Sequence, residues 1–244
     1  MPTMAIDACI YDSAQEAASR CASKVLELLG AALAANPRAT LAISGGTTPK
    51  LMFQDLAKAQ FDWQRVHLFW VDERGVPPTD PQSNYKLAKE TFIDPARFPS
   101  ANVHRIQAEQ EPQLAAQLYA REIRDFFALA PGQMPHFDIV HQGMGPDAHT
   151  ASLFPGEKLI DDSINLVAPA YVEKFHQWRI TLLSGVLRAA KHTVMLVAGE
   201  DKADPLRRVL HEPYDPKKYP AQIVNGNGCQ VTWFLDRAAA RLME

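Results

Sequence analysis

Short apolar runs alternate with longer amphipathic stretches along most of this chain of 244 residues. The runs at 5–11, 39–44, 66–71 and 137–142 have strand length, as do those at 165–169, 178–183, 193–198 and 230–235. Between them the spacing predicts helices at 13–35, with Pro49 in the first turn of the next, from about 83, and at 111–129. Further helices are expected at 184–190, 202–210 and 236–242. Strands apolar on both faces need cover on both faces. The fold class is therefore α/β, a mainly parallel sheet with helices on both sides. Asp12 or Ser13 is placed to cap the first helix, and Asn36-Pro37 to end it. No repeat or break in composition divides the chain, so one domain over 1–244 is expected.

Composition removes several function classes. The formal net charge is −3, which gives no basic field for nucleic acid or an anionic membrane. Cys9, Cys21 and Cys229 are few, odd in number and far apart. That pattern fits a reducing compartment and offers no structural zinc site. Residues 1–7 lack both a basic region and a long apolar run, so no secretory leader is expected. No segment approaches the ~18 apolar residues of a membrane span.

In an open parallel sheet, ligands bind beyond the carboxyl ends of the strands. Three motifs fall there. Ser44-Gly45-Gly46-Thr47-Thr48-Pro49 joins a strand to a helix. Its glycines permit a sharp turn and close approach, and the helix start offers unpaired N–H groups to an anion such as phosphate. The same residues also fit an ordinary tight turn, and the spacing is not that of a Walker loop. Val71-Asp72-Glu73-Arg74 fits either a solvated loop or a site where Arg74 holds an anion and a carboxylate orients hydroxyls. Pro77-Pro78 and Ser83-Asn84-Tyr85 then give a stiff loop and a capped helix start.

The third motif runs from Gly143 through Asp147, Ala148 and His149 to Gly156. Its Gly-x-Gly-x-x-Ala resembles a dinucleotide fingerprint, but Pro155-Gly156 interrupts the helix that a fingerprint should open. A short turn presenting His149 fits better. Imidazole titrates near neutrality and suits proton transfer, with Asp147 a candidate to orient it; the two-residue spacing does not itself establish contact, and a hydrogen-bonded surface or core histidine fits the same residues. His141 and His176 are further histidines within plausible range of the site. No Gly-x-Ser-x-Gly surrounds Ser44 or Ser152, so a serine hydrolase is disfavoured.

Taken in order, Ser-Gly-Gly-Thr-Thr-Pro at 44–49, Val-Asp-Glu-Arg at 71–74, Ser-Asn-Tyr at 83–85 and His-Thr-Ala-Ser-Leu-Phe-Pro-Gly at 149–156 closely resemble the glucosamine-6-phosphate isomerase/6-phosphogluconolactonase family. So do Arg179-Ile180-Thr181-Leu182, the run 198–203 and Pro220-Ala221-Gln222. The Thr150-Ala151-Ser152-Leu153-Phe154 run is similar to the lactonase form rather than the deaminase form.

The resemblance implies a modified Rossmann-type sheet of the sugar-phosphate isomerase/deaminase kind. It implies cytoplasmic hydrolysis of 6-phospho-D-glucono-1,5-lactone to 6-phospho-D-gluconate in the oxidative pentose phosphate pathway, with no metal and no cofactor. His149 then takes the catalytic position, with Asp147 beside it. Ser44, Gly45, Gly46, Thr47, Asp72, Arg74, Arg179 and Lys202 bind the phosphorylated sugar lactone. No nucleic acid or membrane partner is expected, and the oligomeric state is left open. The alternatives are a related sugar-phosphate deaminase or isomerase, and a non-catalytic sugar-phosphate sensor. Four stretches depart from the family pattern, one being Ser184-Gly185 and Arg188 in place of a proline-containing run with asparagine. Ala148 stands where Gly is usual, which strains the backbone if φ is positive there. Pro146 narrows the freedom of Gly145. The stretch 173–176 is poorer in proline than usual.

Overall fold

The computed structural model describes residues 7–225 and 230–243. Residues 5 and 6 of the expected first strand, and Cys229, lie outside them. Seven strands build the main sheet: β1 (Asp7–Tyr11), β2 (Ala39–Ile43), β3 (Val66–Trp70), β5 (Val103–His104), β6 (Ile139–Gln142), β9 (His192–Val197) and β10 (Gln230–Asp236). Their order is β1-β10-β9-β6-β2-β3-β5, and every neighbouring pair is parallel. This is the expected α/β sheet. Every residue of β2 and of β6 is buried, including the polar Thr40, His141 and Gln142, as central strands covered on both faces require.

Helices α1 (Ala14–Ala35) and α2 (Thr47–Lys58) pack together on the sheet. Ser13 accepts from the N–H of Glu16 and starts α1, and Asn36 ends it. The buried side of α1 reads Ala17, Cys21, Val25, Leu29 and Leu33, one residue per turn. The short α3 (Asn84–Ala88) starts at Ser83, and α4 (Pro112–Phe127) starts at Glu111. Near the C-terminus, α5 (Ser184–Arg188), α6 (Ala203–His211) and α7 (Arg237–Ala240) complete the set.

One part of the chain departs from the expected sheet. The strands β7 (Val167–Val172) and β8 (Gln177–Leu182) do not join it. They pair antiparallel with each other and with β4 (Asp72–Arg74) in a second, three-stranded sheet. The reason is connectivity: a four-residue link between β7 and β8 permits only a hairpin. The reading of 71–74 as a solvated loop is likewise overturned, because Asp72 and Glu73 are buried in β4. Tyr119 of α4 helps the chain turn out of β3. Its hydroxyl accepts from the N–H of Trp70 and donates to the carbonyl of the same residue, both at 2.8 Å.

Candidate active site

The strands β2, β6, β9 and β10 end along one edge, and β4 rises beside them. A cleft of about 540 Å³ opens there. It lies where the chain leaves β2 toward one side and β6 toward the other, the switch point that parallel sheets use for ligands.

The Ser44–Thr48 turn forms one wall. Gly46 has φ 127°, a conformation that suits glycine, and starts α2 without a side-chain cap. The first N–H groups of α2 therefore lack a side-chain acceptor. Gly45 has a steric reason: an added Cβ would run into the Asn84 amide. Ser44 is buried, and its hydroxyl has no protein partner.

The β4 strand supplies the second wall. Glu73 points away from the cleft and anchors the strand to α3. It accepts from the N–H groups of Arg74 (2.7 Å), Asn84 (2.7 Å) and Tyr85 (2.8 Å) and from the Ser83 hydroxyl (2.9 Å). Burial pushes its carboxyl up, while these four bonds oppose the shift. Asp72 accepts from the Ser152 hydroxyl at 2.7 Å and from Asn84 Nδ2 at 3.4 Å. Arg74 and Arg179 are direct neighbours across the β4–β8 pairing. Arg74 donates to the Gln82 carbonyl at 2.5 Å, yet the Nε groups of both arginines are buried without partners. Burial lowers the Arg179 guanidinium below its usual range; Asp72 opposes that and Arg74 adds to it. Two adjacent guanidiniums with spare donors make an anion site.

His149 stands between these walls. Asp147 Oδ1 lies 2.5 Å from its Nδ1, and Phe154 stacks on the ring at 4.2 Å between centroids. Gly145 lies against the ring, and a Cβ there would overlap it. Burial tends to raise the Asp147 carboxyl, but the bond to His149 and its charge outweigh this and hold it at about 2. With Nδ1 engaged by a carboxylate, Nε2 is the nitrogen left for chemistry. Ala148 has φ 63° and is buried against Met144, Met195 and Ala221. Its carbonyl accepts from the N–H of Ala221 at 2.9 Å. The departure from glycine therefore falls on a position of positive φ, and the buried methyl fixes the loop to the core.

Lys202 closes the far rim, bonded to Asp201 at 2.6 Å. Among the described residues, no group of three or more His, Cys, Asp or Glu side chains is placed to hold a metal ion.

The model of the family described as glucosamine-6-phosphate isomerases/6-phosphogluconolactonase matches residues 12–233. The chain belongs to this family. Among the family's curated proteins, the 6-phosphogluconolactonase of Haemophilus influenzae is 38% identical over 207 residues, 83% of this chain and 87% of that one. A human 6-phosphogluconolactonase is 33% identical over 241 residues, covering 96% and 92%. The crystal structure of a devB protein superposes with a TM-score of 0.88 at 32% identity, covering 98% of this chain and all of the other. A monomeric glucosamine-6-phosphate deaminase, 17% identical with a TM-score of 0.81, shares the fold.

Within this family fold, Ser44, Gly45, Gly46, Thr47, Asp72, Arg74, His149, Arg179 and Lys202 all line the cleft. Asp147 stands behind the His149 ring rather than in the wall. Two other histidines fall outside. His141 is fully buried in β6 beneath Ser44, and burial lowers its pKa to about 3. His176 is exposed at the tip of the β7–β8 hairpin. Sequence reasoning missed the packing partners. Asn84 read as part of a helix start and of a family motif, yet it links Asp72 to the Gly45 turn. Ser152 read as a failed nucleophile and as one letter of a family motif, yet it holds Asp72. Neither role carries a local signal, because each partner is remote in the chain.

Proposed function

We propose that this protein hydrolyses 6-phospho-D-glucono-1,5-lactone to 6-phospho-D-gluconate. The observation that carries the reading is the Asp147–His149 pair opening on a cleft whose other walls present cations and free N–H donors. Relatives named for this reaction, similar over most of the chain, support it.

In this mechanism His149 Nε2 takes a proton from water as the water oxygen attacks the lactone carbonyl. The carbonyl electron pair moves to oxygen and is met by donors in the cleft. When the pair returns, the bond between the carbonyl carbon and the ring oxygen breaks. His149 then delivers its proton to that departing oxygen, leaving a carboxylic acid that ionises. Asp147 keeps hydrogen on Nδ1 and steadies the imidazolium between the two transfers. Acid–base help of this kind contributes about 10²–10⁴-fold.

Ser44, Gly45, Gly46 and Thr47 at the start of α2 suit a phosphate, with Arg74, Arg179 and Lys202 balancing its charge. Asp72 can only accept when ionised, so it suits a sugar hydroxyl. The reading takes residues 1–244 as one catalytic unit, supported by the pairing of β1 with β10 from opposite ends of the chain. It also sets the enzyme in the reducing cytoplasm, where Cys9 and Cys21 remain free thiols.

The test is proton release from freshly generated lactone, with the spontaneous rate subtracted and His149→Ala run in parallel. Enzyme-dependent hydrolysis that is lost in the variant is expected. Folded protein that leaves the spontaneous rate unchanged would refute the reading and turn attention to aldose–ketose chemistry or to binding without turnover.

A further inference from the structure

The hairpin joining β7 to β8 has no part in the proposed reaction, yet its tip packs on the loop that carries His149. The pairing of Val172 with Gln177 leaves Glu173 to His176 to reverse the chain, and His176 closes the tip with φ 47°. Two side chains reach the loop. Lys174 Nζ lies 3.9 Å from Asp147 Oδ2, the oxygen that His149 does not use. The ring of Phe175 meets Phe154 edge-on at 6.3 Å, and Phe154 is the ring stacked on His149. Arg179 from the cleft and Lys174 both approach the Phe175 ring at 5.5 Å.

We propose that Lys174 is a positioning residue for the Asp147–His149 pair, setting its charge balance from the hairpin tip. Only the kinetic arm of this inference rests on the lactonase reading. Asp147 offers one carboxylate to two cations once His149 is protonated. Lys174 opposes that protonation by like charge, and it holds Oδ2 so that Oδ1 stays on Nδ1.

His176, a further titratable group, closes the hairpin tip. Glu173 shares the tip with Lys174. Arg74 and Asp72 come from β4, and Arg179 from β8. Asp201, Lys202 and Asp236 line the opposite rim. Among the described residues, only His149 and Lys174 come within ion-pair distance of Asp147. The Lys174 side chain is 61% exposed, so salt screens its influence.

The experiment is an NMR pH titration of the His149 ring, assigned by its loss in His149→Ala, on the wild type, Lys174→Gln and Lys174→Arg. The pH profile of kcat/KM on the lactone is measured beside it. At low salt, Lys174→Gln is expected to move the ring titration and the acidic limb of the profile upward by about 0.3–0.5 pH unit, the shift for a screened charge several ångströms away. Lys174→Arg should restore the wild-type curves, and ~1 M salt should merge all three. Coincident curves at low salt would overturn the proposal. So would a shift that arginine fails to rescue or that salt fails to reduce, since packing would then be the cause. A shifted ring titration without lactone turnover would remove the lactonase reading and leave the charge role standing.

Discussion

Replacing Asp147 by asparagine isolates what the carboxylate contributes, because size and shape barely change. Two effects follow from the geometry. The first is electrostatic. The Asp147 carboxyl falls from an ordinary 3.8 to about 2. Nearly two pH units correspond to about 2.5 kcal/mol before screening. The side chain is 31% exposed, so about half of that, roughly 1–1.5 kcal/mol, is a fair measure of its support for an imidazolium. Losing it costs about tenfold in rate. The second effect is tautomeric. An asparagine amide can donate to Nδ1 across the same short contact, which puts hydrogen on Nε2 and removes the base. General-base help of about 10²–10⁴-fold is then at stake. Asp147→Asn should therefore lower kcat by at least ~10²-fold, with KM changed by less than about threefold. Proton release from fresh lactone measures the rate, and circular dichroism melting confirms the fold. A variant whose kcat stays within about threefold of wild type would refute the argument that the carboxylate fixes the tautomer.

Three further outcomes are expected. Ala148→Gly relieves a left-handed residue, worth about 1–2 kcal/mol, but gives up a buried methyl, about 0.8 kcal/mol, and frees the unfolded chain, about 0.4–1 kcal/mol. The melting midpoint should hardly move, and a loss above about 1 kcal/mol in urea unfolding would show that φ 63° carries little strain. Gly145→Ala should leave the fold intact and abolish most turnover, since its Cβ overlaps the His149 ring; full activity in the folded variant would contradict that contact. Burial lowers His67 from 6.5 to about 4, with His104 adding to the shift, and burial lowers His141 to about 3. A depressed histidine pKa means the unfolded chain takes up the proton first. Stability should be full above pH 6.5 and decline as pH falls toward 4 and 3. Denaturant titrations from pH 7 to 4 read this slope, and His67→Phe should flatten it.

Much of the fold was legible because its causes are local. A largely apolar run such as 39–43 has to be covered on both faces, and the run itself says so. The caps at Ser13 and Ser83, and the glycine turn before α2, are written within a few residues. Ordered motifs likewise named nine residues that line the cleft and the carboxylate behind His149. The sequence by itself therefore determined the fold class, the edge of the sheet where the cleft opens, and the residue types gathered there.

Other features depend on groups far apart in the chain. Asp72 reads as a charge at a strand end. It is buried because Ser152, 80 residues on, donates to it. The second sheet exists because β4 finds β8 over a still longer separation, Asp72 pairing with Thr181. Ala148 looks like a simple departure until Ala221 and the core around it hold its φ positive. The contact between Lys174 and Asp147 needs a hairpin tip folded onto a distant loop. Tertiary structure decided these because burial, strain and long-range charge are properties of neighbours in space, and no local pattern specifies which neighbours a residue acquires.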